Sequence, residues 1–309
     1  VLQLLPVGNA IYAERYTYLS YTGLIVMFAY GIVYLSKTDN QSLKKFYRPS
    51  LLITVLLLFF FSYQTYSRSM VWKNSEVLWL NVLSNYNYAP NANNNLGSYY
   101  QKNDQLDKAK YYFDSALRFQ NDFVDALINR SDVYRVSGKL DSAIADCNHA
   151  IAIDNKSDAA YVNRGISLSI AGKYDEALKD FNTAIALNPK IIKPFSNRAN
   201  LLALKGDFEN SLKDYATVIE KDPYNADAYS NRARTLLTMK KLNEAKSDID
   251  KAISLDIDNG NFYLLRADVN NSLGKYQDAL NDINYAKQNG KEVNPEFIKQ
   301  LQIKIQTQP

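Results

Sequence analysis

The chain has 309 residues, 47% of them hydrophobic, and a net charge of only +4 drawn from 36 Lys and Arg against 32 Asp and Glu. The two signs are interleaved, so no phosphate-neutralising stripe forms and nucleic acid is not an expected partner. One Cys and one His exclude an internal disulfide framework and a protein-only zinc cage, which needs about four such ligands; no metal and no cofactor is expected.

The sequence begins at Val1 inside an apolar run and is expected to be the later part of a longer chain, with residues 1–70 forming a membrane region truncated at its N-terminus. Glu14 and Arg15, in AERYTYL, stand at the edge of the first apolar segment. Charges there are rare and mark an anchor, an internal pair or a site. Between Arg15 and Lys37 lie 21 uncharged residues, and between Arg48 and Arg68 another 19. A helix needs roughly 20 residues to cross a hydrocarbon core, so transmembrane helices are expected at about 16–36 and 49–67, with Tyr16, Tyr18, Tyr34, Tyr63 and Tyr66 suited to the interfacial belt. The loop between them carries Lys37, Lys44, Lys45 and Arg48, against Arg15, Arg68 and Lys73 on the other side. The positive-inside rule then puts the loop in the cytoplasm and everything after Arg68 on the extracytoplasmic side, whether periplasmic, extracellular or luminal.

Residues 74–89 read as an amphipathic lead-in helix capped by Asn74 or Ser75. From Pro90 onward the sequence repeats every 34 residues in six units, over 90–293. Counting Pro90 as position 1, position 8 is small in every unit (Gly97, Ser131, Gly165, Ala199, Ala233, Ala267) and so is position 20. Phe113, Phe181, Tyr215, Ile249 and Ile283 are bulky at position 24. Small residues let two antiparallel helices approach closely while the bulky one fills the space beside them. Gly138, Gly172, Gly206 and Gly274 supply the turn at position 15, with Asp104 and Lys240 as departures. This pattern resembles the tetratricopeptide repeat (TPR), which implies an all-α fold: two transmembrane helices followed by an α-α superhelix of six repeats. A capping helix is expected over 294–309, with Phe297, Leu301 and Ile305 covering the last apolar face.

Asn recurs at position 6 in five units, as Asn95, Asn129, Asn163, Asn197 and Asn231. On the first helix of each hairpin this position lies off the packed stripe and faces the groove that the stacked first helices line. A carboxamide both donates and accepts, as an extended peptide backbone requires. Helices about 10 Å apart would meet every third residue of a strand rising about 3.3 Å per residue. The row resembles the asparagine ladder of O-linked N-acetylglucosamine transferase; the alternative is a tolerant exposed position in an Asn-rich chain. Arg at position 7 (Arg130, Arg164, Arg198, Arg232, Arg266) and Asp at position 23 (Asp146, Asp180, Asp214, Asp248, Asp282) appear together and are both absent from the first unit. Structural ion pairs within each hairpin are the simpler explanation, and a ligand clamp the other.

No catalytic residue is assigned. The Gly-Lys steps at the hairpin turns lack the rest of a phosphate-binding loop. Cys147 occupies a core position, and His149 falls on another helix face. The order AERYTYL, basic loop, second span, then APNANNNLG opening the repeats is similar to the end of the transmembrane and tetratricopeptide repeat-containing proteins, lipid-linked-sugar-dependent O-mannosyltransferases of the GT-C class. The resemblance implies that catalysis lies in a loop upstream of Val1, and that a lipid-linked sugar would be a partner through that upstream region. Two functions follow: a membrane-anchored scaffold holding a protein or extended peptide beside the bilayer, or the C-terminal part of a glycosyltransferase whose repeats present the acceptor.

Overall fold

Each helical pair turns where its residue is held in left-handed backbone. In the computed structural model, which describes residues 26–71, 74–86 and 88–307, Gly138, Gly172, Gly206 and Gly274 take φ of +74°, +77°, +83° and +76°. Asp104 and Lys240, the two departures from glycine, adopt φ of +57° and +59°, where a Cβ crowds the carbonyl that follows. The hairpin therefore dictates the conformation and the side chain sets only its cost. Among the described residues every regular element is helical and no strand occurs. Glu14, Arg15 and the first ten residues of the span expected at 16–36 lie outside them.

The chain divides into two compact units, Val1–Lys139 and Leu140–Pro309. The first contains α1 (Val26–Lys37, as far as described), α2 (Gln41–Lys44), α3 (Tyr47–Val71), α4 (Ser75–Asn85), α5 (Pro90–Lys102), α6 (Leu106–Phe119) and α7 (Val124–Val136). Gln41–Gln64 is, among the described residues, the one helical stretch long and apolar enough to cross a membrane, whereas α1 is a shorter apolar helix. Of the two spans expected, one thus meets that test. Its large side chains find no core: Leu52 and Phe59 are 62% and 72% exposed. Helix α4 starts at Asn74, whose side chain accepts from the Val77 backbone N–H at 2.8 Å. On its inner face Trp79 and Leu83 pack against Leu96, Tyr100, Ala109 and Phe113. Glu76 also accepts from Tyr99 at 3.3 Å and Tyr100 at 2.7 Å. Burial and then this carboxylate raise the Tyr100 pKa, so the phenol stays a donor and α4 stays tied to α5.

The second unit contains α8 (Leu140–Ile153), α9 (Asp158–Ile170), α10 (Tyr174–Leu187), α11 (Lys193–Leu204), α12 (Phe208–Lys221), α13 (Ala226–Thr238), α14 (Leu242–Leu255), α15 (Gly260–Ser272), α16 (Tyr276–Gln288) and α17 (Pro295–Thr307). Position 8 is small for a visible reason. A Cβ built on Gly165 would lie 2.7 Å from Phe181 Cε1, whereas Ala233 shares its core with Ile249 and Ala267 with Ile283. Helix α17 closes the stack with Leu301, fully buried against Ala267, Ala279 and Ile283 and flanked by Phe297 and Ile298. Ile305 is half-buried. The first helices α9, α11, α13 and α15 each touch the next, and so form one wall.

Candidate functional site

The wall is set by arginine. Arg164 donates through Nε and Nη2 to Asp180 at 2.8 and 2.7 Å; Arg198 does so to Asp214, at 2.7 Å each, and Arg232 to Asp248, also at 2.7 Å each. Arg266 meets Asp282 at 2.6 Å. Bidentate geometry of this kind is the strong form of a charge-assisted bond. The sequence did not disclose a third contact. Nη1 reaches back to position 25 of the preceding hairpin: Arg164 to Asn148 at 2.7 Å, Arg198 to Asn182 at 2.5 Å and Arg266 to Asp250 at 3.0 Å. Arg232 lacks this bond because Ala216 stands there. The guanidinium carbons also lie 5.1–5.7 Å from the ring centroids of Tyr161, Phe195, Tyr229 and Tyr263 at position 4, which accounts for the aromatics at that position. Hydrogen bonding to Asp180 and Asp248 raises the pKa of Arg164 and Arg232 against the opposing effect of burial. Arg164, Arg198 and Arg266 join one hairpin to the next, and all four forks face carboxylates of the protein.

In the compact unit Val1–Lys139, Arg130 of the second repeat donates to Asp114 at 2.7 Å. Burial disfavours the Asp114 carboxylate, but hydrogen bonds from Lys110 and Arg130 outweigh it and hold the group below the ordinary carboxylate range. Asp146, the expected partner of Arg130, belongs to the second unit and is buried there.

The asparagine row divides into two kinds. In the first unit Asn95 is half-buried, and Asn129 spends its amide on Asn94 at 3.0 Å and Ser98 at 3.4 Å. Gln101 and Arg135 both bond Asp132, each at 2.6 Å, so the polar groups beside Asn129 are also satisfied internally. In the second unit Asn163 is buried, with 9% exposure. Asn197 and Asn231 are half-buried, and their side chains make no hydrogen bond among the described residues. Asn197 lines a cavity of about 230 Å³ with Ile166, Ile170, Phe181, Leu201 and Leu204. Asn231 lines a second of about 470 Å³ with Asn200, Tyr215, Arg234, Thr235 and Thr238. Both cavities open between consecutive first helices.

Much of what fills this groove stands at positions the repeat does not hold constant. Asn200 and Arg234 are at position 9, and Ile170 and Leu204, 57% and 66% exposed, are at position 13. Tyr215 donates its hydroxyl to Asn200 Oδ1, and burial raises the Tyr215 pKa, so that bond persists through the physiological range. Desolvation raises the pKa of Asp268, the position-9 residue of α15, and Arg234 pulls against it. The sequence signal for Ile170 and Leu204 is an apolar side chain just before the turn glycine, in SIAG and LALKG; the residues at position 9 carry none. Cys147 is buried and His149 exposed on α8. No group of three or more potential metal ligands occurs among the described residues. The groove offers amide and guanidinium donors beside apolar hollows, a surface for binding.

Comparison with known proteins agrees with this geometry. Models of the tetratricopeptide repeat match residues 90–123 and 124–157, 159–191, and 215–247. The chain is 27% identical over 135 residues to Protein O-mannosyl-transferase Tmtc3 of Drosophila melanogaster, a match covering 42% of this chain and 14% of that protein. Among solved structures, a tetratricopeptide repeat protein from Parabacteroides merdae superposes with a TM-score of 0.58 at 22% identity, over 80% of this chain and 96% of that one. A chain of the APC/C hetero-tetramer Cut9-Hcn1 gives 0.67 at 14% identity, over 74% and 46%. The type IV pilus biogenesis factor PilW gives 0.63 at 20%, over 69% and 98%. With helical pairs of one period, turning at one position and matched by these models, the chain carries tetratricopeptide repeats over 90–157, 159–191 and 215–247.

Proposed function

We propose that the chain is a membrane-anchored TPR scaffold that holds an extended peptide segment in the groove along α9, α11 and α13, on the extracytoplasmic side. In this reading residues 1–70 are the anchor, 74–89 the lead-in, 90–293 the six repeats and 294–309 the cap. The carrying observation is that Asn197 and Asn231, one repeat apart, have carboxamides without internal partners and line adjoining hollows. A strand in the groove offers each amide both a C=O and an N–H. The apolar, unburied stretch Gln41–Gln64 supports the anchor, and the basic residues of the loop from Lys37 to Arg48 support its orientation.

Replacing Asn197 and Asn231 together by Ala is expected to weaken capture of extended peptides of unrelated sequence by at least tenfold, measured by fluorescence anisotropy. Asn129→Ala, whose amide is already bonded, serves as the control that leaves capture unchanged. Equal affinity of the double variant and the native chain rules the reading out.

A second reading rests on the similarity to Tmtc3: the repeats present a protein acceptor to a glycosyl-transfer site supplied by sequence upstream of Val1. It shares the groove and adds the enzyme. Mannose transfer from a lipid-linked donor by the longer protein, lost on deleting 90–293 and absent from this chain alone, distinguishes it from a scaffold.

A further inference from the structure

The groove is asymmetric in charge. The larger hollow contains no Asp or Glu among its lining residues, yet it collects donors. Arg234 is exposed, and its guanidinium makes no hydrogen bond or ion pair among the described residues, whereas Arg232 two residues earlier is bound to Asp248. Tyr215 occupies the Asn200 carbonyl oxygen, which leaves the Asn200 NH₂ to donate outward. Asn231 adds a further amide. Asp268 on α15 and Arg234 act on one another electrostatically without an ion pair, and the lining set itself has no anion; a guanidinium fork flanked by amides fits a planar carboxylate.

We propose that the groove selects an extended segment bearing an internal Asp or Glu about three residues from a bulky apolar side chain, with Arg234 taking the carboxylate. The inference rests on the peptide-groove reading and deepens it. Leu204 and Asn200 line both hollows, so the two adjoin along the wall. Their helices are spaced about 10 Å apart, which an extended chain covers in about three residues. The smaller hollow, with Ile166, Ile170 and Leu204, takes the apolar side chain. Helix α15 continues the wall past Arg234, so a bound chain passes through, and the carboxylate belongs to a side chain rather than to a chain end.

The test uses the full chain in detergent and labelled ten-residue peptides blocked at both termini, with Leu and Glu three residues apart in either order, and the same peptides with Gln or Lys replacing Glu. Anisotropy is expected to show the Glu peptide in one order binding at least tenfold tighter than its Gln and Lys forms, and Arg234→Glu is expected to reverse the preference so that the Lys peptide binds best. An unchanged Glu preference in Arg234→Glu overturns the role of Arg234. Binding that appears only when the C-terminus is left free overturns the internal carboxylate. Equal binding of Glu, Gln and Lys peptides, weakened in all by the Asn197 and Asn231 replacements, overturns the acidic selectivity and leaves the peptide groove standing; no binding by any peptide overturns both.

Discussion

Gly165→Ala tests whether packing alone explains the small residue at position 8. The new Cβ would sit 2.7, 3.0 and 3.2 Å from Phe181 Cε1, Cδ1 and Cζ, where carbon atoms prefer about 3.5–4.0 Å. The ring would have to retreat by about 1 Å. Retreat breaks its packing, since Phe181 is 1% exposed and held by Leu168, Ala177 and Leu201, although it also lines the hollow of about 230 Å³. Overpacking of this kind costs about 1–3 kcal/mol, against which Ala returns about 1 kcal/mol of helix propensity over Gly. The diagnostic quantity is therefore the coupling. Phe181→Ile alone leaves a void costing about 1–3 kcal/mol, while the double variant recreates the Ala-Ile pairing of Ala233 with Ile249 and Ala267 with Ile283. The double variant is expected to be more stable than the sum of the single effects by about 1–3 kcal/mol. Native-state hydrogen exchange at the α9 and α10 amides reads this locally, as an array that unfolds in parts demands. Effects that add to within about 0.5 kcal/mol would refute the steric argument.

Arg198→Leu strands Asp214, whose side chain is only 8% exposed, and is expected to cost about 3–5 kcal/mol, toward the lower end because Arg198 is itself partly solvated. Arg232→Leu should cost about 1 kcal/mol less, the worth of one hydrogen bond, since Ala216 gives Arg232 no bond to the preceding hairpin; equal losses in urea unfolding would show that this third bond contributes nothing. Lys240→Gly relieves a left-handed backbone at φ +59° and is expected to stabilise by about 1 kcal/mol. A lower melting temperature by circular dichroism would contradict that.

The helical hairpins were legible because their physics repeats. Close approach at positions 8 and 20 and a bulky filler at 24 recur whatever the unit binds, and the paired appearance of Arg164 with Asp180, or Arg198 with Asp214, can be read from a single sequence. The bond from Arg198 to Asn182 could not be, because position 25 varies among Asp, Asn and Ala and carries no signal until the hairpins are stacked. The amide row was legible as a row but not in its bonding. Asn129 and Asn231 occupy the same position, yet Asn129 donates to Asn94 one repeat back, whereas the equivalent residue one repeat before Asn231 is Ser196, whose shorter side chain makes no hydrogen bond to it among the described residues. Partnering depends on the neighbour one repeat back, which is a property of pairs of units. The membrane segment shows the opposite limit: length and apolarity identify Gln41–Gln64, but they describe one helix at a time and say nothing of what surrounds it.

That contrast separates what the array must keep from what it can vary. A residue serving the stack has to recur from unit to unit, because each hairpin buries its face only against the next; the small residue at position 8 does so in all six repeats and the Arg at position 7 in all but the first. A residue serving a ligand needs to be right once, at the point the ligand passes. Arg234 obeys the second logic: positions 98, 132, 166, 200, 234 and 268 carry Ser, Asp, Ile, Asn, Arg and Asp, five residue types at six equivalent places of the repeat. Periodicity therefore finds the scaffold and hides the selectivity, and only a structure that shows which of these side chains are left without partners can tell a varied surface from a specific one. Asn197, Asn231 and Arg234 make no side-chain hydrogen bond among the described residues and stand beside hollows with exposed Ile170 and Leu204, and that coincidence of free donors with apolar space is what makes this stretch of the wall the place where a ligand would be read.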